Sequence, residues 1–152
     1  MDLEKLKERL VTLVPEAEFE DNKQFLTAFI PSGKLHAAAL NLKESEDTAF
    51  DYLFCETGDD MIKFLMVVYH LNSTKLKHSI VLKVKTEDRV NPAFDTVSDI
   101  WKTAEFLERE IYDLLGIKFN NHPDLRRIFL DENWKGYPLR KDYKDEVNIV
   151  EL

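Results

Sequence analysis

The chain is 152 residues long, 44% hydrophobic and 11% aromatic, with four glycines and five prolines, a composition that points to one packed domain and excludes a disordered or fibrous chain. A formal net charge of -8 and an isoelectric point near 5.0 repel phosphate backbones and argue against nucleic acid as a partner. No window approaches the roughly 18 to 20 apolar residues that span a bilayer, and MDLEKLKERL lacks the apolar stretch of a signal peptide, so cytoplasmic residence is the expectation.

Cysteine usage narrows the chemistry further. Cys55 is the single cysteine, so no intrachain disulfide, cysteine zinc site or iron–sulfur cluster is expected. It follows the apolar run Tyr52-Leu53-Phe54, which suits a buried, inert thiol.

In chain order, Leu3, Leu6, Leu10 and Leu13 recur at helical spacing and Pro15 stops the pattern, predicting an amphipathic helix. The segment FLTAFIPSGKLHAAALNL reads as two strands, Phe25–Ile30 and Lys34–Leu42, joined through Pro31-Ser32-Gly33-Lys34 as a hairpin. Ser45 is the expected N-cap of a second helix with Ala49, Tyr52 and Leu53 facing inward, closed by Asp59-Asp60. Met61 to Leu71 is almost continuously apolar and predicts a central strand covered on both faces. Asn72-Ser73-Thr74 turns into KHSIVLKVKT, where Ile80, Leu82 and Val84 alternate with Val81, Lys83 and Lys85, a strand with one wetter face.

After the loop at Asn91-Pro92, Ile100, Ala104, Leu107, Ile111 and Leu114 form one helical stripe, and Gly116 stands where a helix-ending glycine belongs. Arg109 and Asp113 fall away from that stripe, Glu108 and Glu110 on its borders, and Glu105 is spaced for an ion pair with Arg109. The predicted fold is α+β: one mainly antiparallel sheet with helices packed on it, followed by a long irregular C-terminal segment. Residues 1–143 are read as a single domain and 144–152 as a short acidic tail.

The segment from Lys118 to Tyr143 decides the functional reading. A long loop without regular structure is either functional or disordered, and Phe119, Leu125, Ile128, Phe129, Leu130, Trp134, Tyr137, Leu139 and Tyr143 supply too many anchors for disorder. Six Lys or Arg stand against four Asp or Glu between Lys118 and Asp142, in an otherwise acidic chain. Arginine mixed with Trp, Tyr, Phe and Pro is the composition of interface cores, although a solvated loop with ion pairs has the same charges. His122 precedes Pro123, and the remaining histidines, His36, His70 and His78, offer no ligand spacing to it, so no metal centre is expected. Glu108 and Glu110 sit two residues apart, so their carboxylates diverge. No phosphate-binding glycine loop, nucleophile elbow or zinc-protease motif is present, and nothing reads as catalytic.

The stretch EREIYDLLGIKFNNHPDLRRIFLDENWKGYPLRKDY, entered through Trp101-Lys102-Thr103-Ala104-Glu105-Phe106-Leu107, resembles the signature of the C-subunit of respiratory complex I, the NADH:quinone oxidoreductase. Fainter resemblance covers Phe50–Leu53, Val68-Tyr69-His70-Leu71 and Val97-Ser98-Asp99-Ile100. Phe106 stands where the family usually has tryptophan, and Asn121 where it has glycine. Many relatives continue beyond this point or are fused to the adjacent D-subunit.

The resemblance implies a scaffold subunit of the peripheral arm of a proton-translocating complex, peripheral on the cytoplasmic face of the inner membrane. It would be held against the D-subunit near the iron–sulfur subunits and reach the membrane only through the complex. No flavin, cluster or quinone is implied on this chain; FMN, iron–sulfur clusters and quinone belong to the assembly. The partner-facing residues expected from the motif are Glu108, Arg109, Glu110 and Asp113, then His122, Pro123, Arg126 and Arg127, then Tyr137, Pro138, Arg140, Lys141 and Asp142. Two other readings compete: the equivalent subunit of an energy-converting membrane-bound [NiFe] hydrogenase, and a small stand-alone hydrolase using His122 with Asp124 or Asp142.

Overall fold

The structure, a computed structural model, describes residues 2–145; most of the expected acidic tail lies outside them. Helix α1 (Leu3–Leu13) packs through Leu6 and Leu10. Strands β1 (Glu18–Glu20) and β2 (Leu26–Phe29) precede helix α2 (Leu35–Glu44), which a single 3-10 turn introduces. Strands β3 (Tyr52–Asp60), β4 (Leu65–Asn72) and β5 (Ser79–Thr86) follow, then β6 (Ala93–Asp95), helix α3 (Ala104–Leu115) and β7 (Lys118–Asn120).

The sheet runs β1-β2-β5-β4-β3, and β6-β7 form a separate pair. All neighbours in the large sheet are antiparallel except β2 and β5, so the α+β architecture holds with one parallel contact inside it. That contact has a simple origin. The chain leaves β2 into α2, crosses the sheet and returns as the β3–β4–β5 meander, which brings β5 alongside β2 in the same sense.

Two predicted elements change type. Lys34–Leu42 is helical: Leu35, Ala38, Ala39 and Leu42 are its buried positions, a helical stripe half of it alanine, which loses no side-chain entropy in a helix. No hairpin forms at Pro31–Lys34. Ser45 therefore follows a helix rather than starting one, its N–H bonding to Asn41 O. Tyr52 and Leu53 belong to β3, where aromatic and apolar side chains gain cross-strand partners on β4. Asp59-Asp60 ends that strand instead of breaking a helix, and Met61–Phe64 is the β3–β4 turn, with Ile62 at φ 72°.

Alternation divides the sheet faces. Leu65, Val67, Tyr69 and Leu71 of β4 and Ile80, Leu82 and Val84 of β5 join the main core beneath the helices. Met66, Val68 and Val81 face the other way, covered by Phe25, Phe29 and Phe64, with the Lys83 ammonium over the Phe29 ring and that of Lys85 over Phe29 and Phe64. Cys55 is free and half-buried.

Candidate functional site

Helix α3 is the platform of the site. The segment leading into it is pinned by Trp101 Nε1 donating to Phe50 O at 3.0 Å, and Thr103 Oγ1 donates to Leu53 O at 3.1 Å. Its far end stops at Gly116, φ 72°, whose N–H returns to Tyr112 O. A Cβ there would meet the Tyr137 ring at 2.5 Å, so the glycine serves both the left-handed turn and the close approach of the following chain.

That following chain, residues 118–143, crosses α3 as a strap. β7 fixes its start, with Phe119 buried beside Phe94 of β6. Asp113, with no solvent exposure, then gathers it: Asp113 Oδ2 accepts the N–H groups of Ile128, Phe129 and Leu130 at 3.2, 2.7 and 3.1 Å. Arg127, buried, donates to Asp113 Oδ1 at 3.2 Å and to Gly136 O at 2.9 Å. Arg109 donates from Nε to Arg126 O and from Nη2 to Arg127 O, at 3.1 and 3.0 Å. Beyond β7 the strap thus lacks regular structure, yet Arg109 and Asp113 of α3 satisfy its backbone groups from Arg126 to Leu130. Burial pushes the Asp113 carboxyl up, but the three amides and Arg127 outweigh that and hold it below the ordinary carboxylate range.

A second knot ties the strap to the end of β3. Asp60, buried, takes a forked pair from Arg89, each bond 2.7 Å, and also accepts the N–H groups of Ile62 at 2.8 Å and Lys141 at 2.9 Å. The Arg89 guanidinium, outweighing burial, holds Asp60 far below the usual aspartate range. Arg140 donates to Leu115 O at 2.6 Å and Arg89 O at 2.7 Å, with its guanidinium over the Tyr137 ring.

Beneath α3 lies an acid cluster. Glu108, without solvent exposure, accepts from Thr96 Oγ1 at 2.6 Å and from the Val97 N–H at 2.9 Å. Burial raises it to about 7, against those two bonds. Glu56 of β3 and Tyr69 of β4 are buried in the same place. Burial, then the neighbouring Glu108, pushes Glu56 well above the carboxylate range; burial and the two glutamates push the Tyr69 phenol up as well. Neither Glu56 oxygen nor the Tyr69 hydroxyl has a partner in regular hydrogen-bond geometry. The groups are close enough to act on one another's charge, so the cluster is electrostatically coupled.

The expected partner-facing residues separate into two sets. Glu108, Arg109, Asp113 and Arg127 are buried, and Arg140 is occupied inside its own chain. Arg109 and Asp113 do lie off the apolar stripe, as their spacing requires; the strap, not solvent, covers the face they occupy. Arg109 is drawn to strap carbonyls rather than to Glu105. The ring of His122 is enclosed, its Nε2 donating to Glu105 O at 2.8 Å while Nδ1 accepts the Asp124 N–H at 3.0 Å. Both ring nitrogens are thereby used by backbone. The Asp124 carboxylate binds Arg126 and Asp142 lies 3.7 Å from Arg89, so the hydrolase constellation does not assemble.

Pro123, Arg126, Lys141 and Asp142 are exposed, and Glu110, Tyr137 and Pro138 half-exposed. They share the outer face with Phe129, 63% exposed, and Leu139, 60% exposed. Leu125 packs on the core, but Phe129, Trp134 and Leu139, expected as anchors, are exposed and do not anchor the strap. His36 sits on α2 and His78 just ahead of β5, not on the predicted strands. Among the described residues no group of three or more His, Cys, Asp or Glu side chains is arranged to hold a metal ion. Sequence reading missed Glu56, Asp60 and Arg89. For Glu56 a register shift between Leu53 and Cys55 breaks the alternation that would have shown it facing inward.

The family model described as "Respiratory-chain NADH dehydrogenase, 30 Kd subunit" matches residues 28–147, which takes in the sheet, α3 and the strap. The NADH-quinone oxidoreductase C-subunit of Geotalea uraniireducens is 38% identical over 146 residues, covering 91% of this chain and 84% of the relative. That of Geobacter sulfurreducens is 51% identical over 96 residues, 63% of this chain and 56% of the relative. The NADH-quinone oxidoreductase C/D protein of Phocaeicola vulgatus is 48% identical over 124 residues, covering 81% of this chain but 24% of the relative. The chain therefore spans about a quarter of the C/D relatives it matches. Among solved structures, one chain of the membrane-bound sulfane sulfur reductase, an archaeal respiratory membrane complex, superposes with a TM-score of 0.78 at 26% identity, over 93% of this chain and 85% of that one. The α+β fold with its strapped helix is that of a respiratory-complex subunit. This chain belongs to the NADH dehydrogenase 30 Kd subunit family, the C-subunit family of complex I.

Proposed function

We propose that the chain is a non-catalytic scaffold of the peripheral arm of a proton-translocating NADH:quinone oxidoreductase, docking the D-subunit near the iron–sulfur subunits. One observation carries the reading: the strap is fixed from beneath by buried charges while its outer face stays open and rich in rings and charge. An ordered irregular segment of that kind suits recognition, because its ordering entropy is met before a partner arrives. Pro123, Arg126, Tyr137, Pro138, Lys141, Asp142 and Glu110 are proposed to face the partner. Glu108, Arg109, Asp113, His122, Arg127 and Arg140 are proposed to hold the shape they present.

On this reading FMN, iron–sulfur clusters and quinone are carried by other subunits. The chain sits on the cytoplasmic face of the inner membrane through the complex alone. No helix among the described residues is long and apolar enough to cross a membrane, which is compatible with that placement. The test is affinity purification from native membranes. Recovery of the D-subunit together with NADH-driven quinone reduction supports the assignment; a monomer recovered alone, under conditions that keep the complex intact, overturns it.

The likeness to a chain of the sulfane sulfur reductase favours a second reading, the equivalent subunit of another membrane-bound redox complex, such as an energy-converting [NiFe] hydrogenase. Hydrogen-linked activity and nickel in the same purified material would select it.

A further inference from the structure

We propose that Glu56 and Glu108 work as one acid unit, two buried carboxyls that hold a proton between them in place of two negative charges and so fasten the edge strand β3 to α3. The geometry demands some such arrangement. Both side chains are sealed in the core, Glu56 3% and Glu108 0% exposed. Glu108 accepts two hydrogen bonds, from Thr96 and Val97, the pattern of a carboxylate. Among the described residues neither Glu56 oxygen has a partner in regular hydrogen-bond geometry, and the side chain lies against that carboxylate, the setting of a neutral acid. Two adjacent bare charges in a low-dielectric interior repel strongly, and each also loses its hydration.

The surroundings offer no other neutraliser. The titratable groups acting on the pair are Cys55 of β3, Tyr69 of β4, and Asp99 ahead of α3. Asp95 of β6 acts on Tyr69. Glu110 lines the same cleft as Glu56. His122 Nε2 lies 4.0 Å from Glu108 Oε2 but points its proton at Glu105 O. No lysine or arginine is among the groups acting most strongly on either carboxyl. Glu56 borders a cleft of about 80 Å³ between β3 and α3 that Leu114 and Leu139 also line.

The consequence is a seam that weakens with alkalinity. Both carboxyls are raised in the folded chain, so the unfolded chain gives up its protons first. Stability is then fully present below the ordinary glutamate range and falls as pH rises through the folded values. Each retained proton makes the folding equilibrium constant fall about tenfold per pH unit over that window.

The experiment follows the carboxyl carbons of ¹³C-glutamate-labelled full-length protein by NMR from pH 5 to 9, alongside urea unfolding of wild type and Glu56→Gln. One glutamate is expected to stay protonated through neutral pH. Glu56→Gln is expected to remove that signal and to flatten the fall in the folding constant by about tenfold per pH unit. The proposal is overturned if every glutamate of folded wild type is ionised by pH 6, if two acids remain protonated at pH 9, or if Glu56→Gln leaves the slope unchanged. Should the variant not fold, the wild-type titration alone decides.

Discussion

The two ends of the helical layer cover one sheet face with opposite chemistry. Under α1 and α2 the buried residues are Leu6, Leu10, Leu35, Ala38, Ala39 and Leu42, and their contribution is non-directional burial. Under and over α3 the buried set adds Glu108, Arg109 and Asp113, each aimed at a named backbone group or side chain. A leucine can be exchanged for a similar volume because its neighbours only need something to touch. Asp113 cannot, because three amides and a guanidinium depend on that one carboxylate. The apolar end supplies bulk stability. The polar end gives an irregular strap one shape.

The sharpest way to break this comparison is Asp113→Asn. The substitution keeps the volume but leaves the buried Arg127 without its counter-charge, and removing one partner of a buried pair costs about 3–5 kcal/mol. Urea unfolding should show the loss, and limited proteolysis should cut first within residues 118–143. Its pH behaviour gives a second check. The folded Asp113 titrates below its ordinary range, so its contribution is present above that range and disappears as pH falls through the lowered value. The variant should lack this part of the acid limb. A variant as stable as wild type at pH 7 would show that the strap is held by its apolar anchors alone.

Arg140→Ala comes next. Its Nε and Nη1 hold the carbonyls of Leu115 and Arg89. The motif alone suggested a free partner-facing arginine, whose truncation would leave the lone domain's stability nearly unchanged. With both bonds internal, hydrogen bonds from a charged donor predict a loss of about 1.5–3 kcal/mol. A thermal melt of the isolated chain measures it, and an unshifted melt would return Arg140 to the partner-facing set.

These cases explain what was readable in advance. The inward positions Ala104 and Ile111 of α3, its end at Gly116 and the β4–β5 pair follow from periodicity and turn chemistry, which are local, whereas Ile100 lies ahead of the helix and Leu115, not Leu114, is buried. The alanine-rich Leu35–Leu42 helix was misread because alternation and helical spacing coincide over a few small residues. The interior role of Arg109 and Asp113 was not readable at all. Spacing set them off the apolar stripe correctly, but what covers that face is irregular backbone 15 to 18 positions further on, and no local pattern encodes such a partner. The motif residues Arg126 and Lys141, by contrast, are exposed, as a surface reading expects.

On the apolar side, Leu6→Met should cost less than about 1.5 kcal/mol, since a volume-conserving exchange can repack. Set beside Asp113→Asn, an equally conservative change in shape, it isolates directionality as the variable. Equal losses at the two positions, measured in the same denaturant series, would dissolve the distinction.

The smallest effect on folding is expected at Arg126, and there the comparison meets the proposed function. The Arg126 side chain is 58% exposed and, among the described residues, pairs with Asp124, itself 49% exposed. A surface pair two residues apart contributes little, so Arg126→Ala should move stability by no more than about 0.5 kcal/mol. Its backbone carbonyl, not its side chain, is what Arg109 grips, so the strap keeps its course. If the outer face docks a partner, an arginine desolvated there is worth about 2–5 kcal/mol of association, or roughly a thirtyfold to several-thousandfold change in affinity. The measurement pairs a melt of the isolated variant with retention of the D-subunit in a pull-down. An unchanged melt with lost retention identifies Arg126 as a partner contact. Unchanged retention would remove this arginine from the proposed docking face and leave the recognition to Phe129, Leu139 and their neighbours.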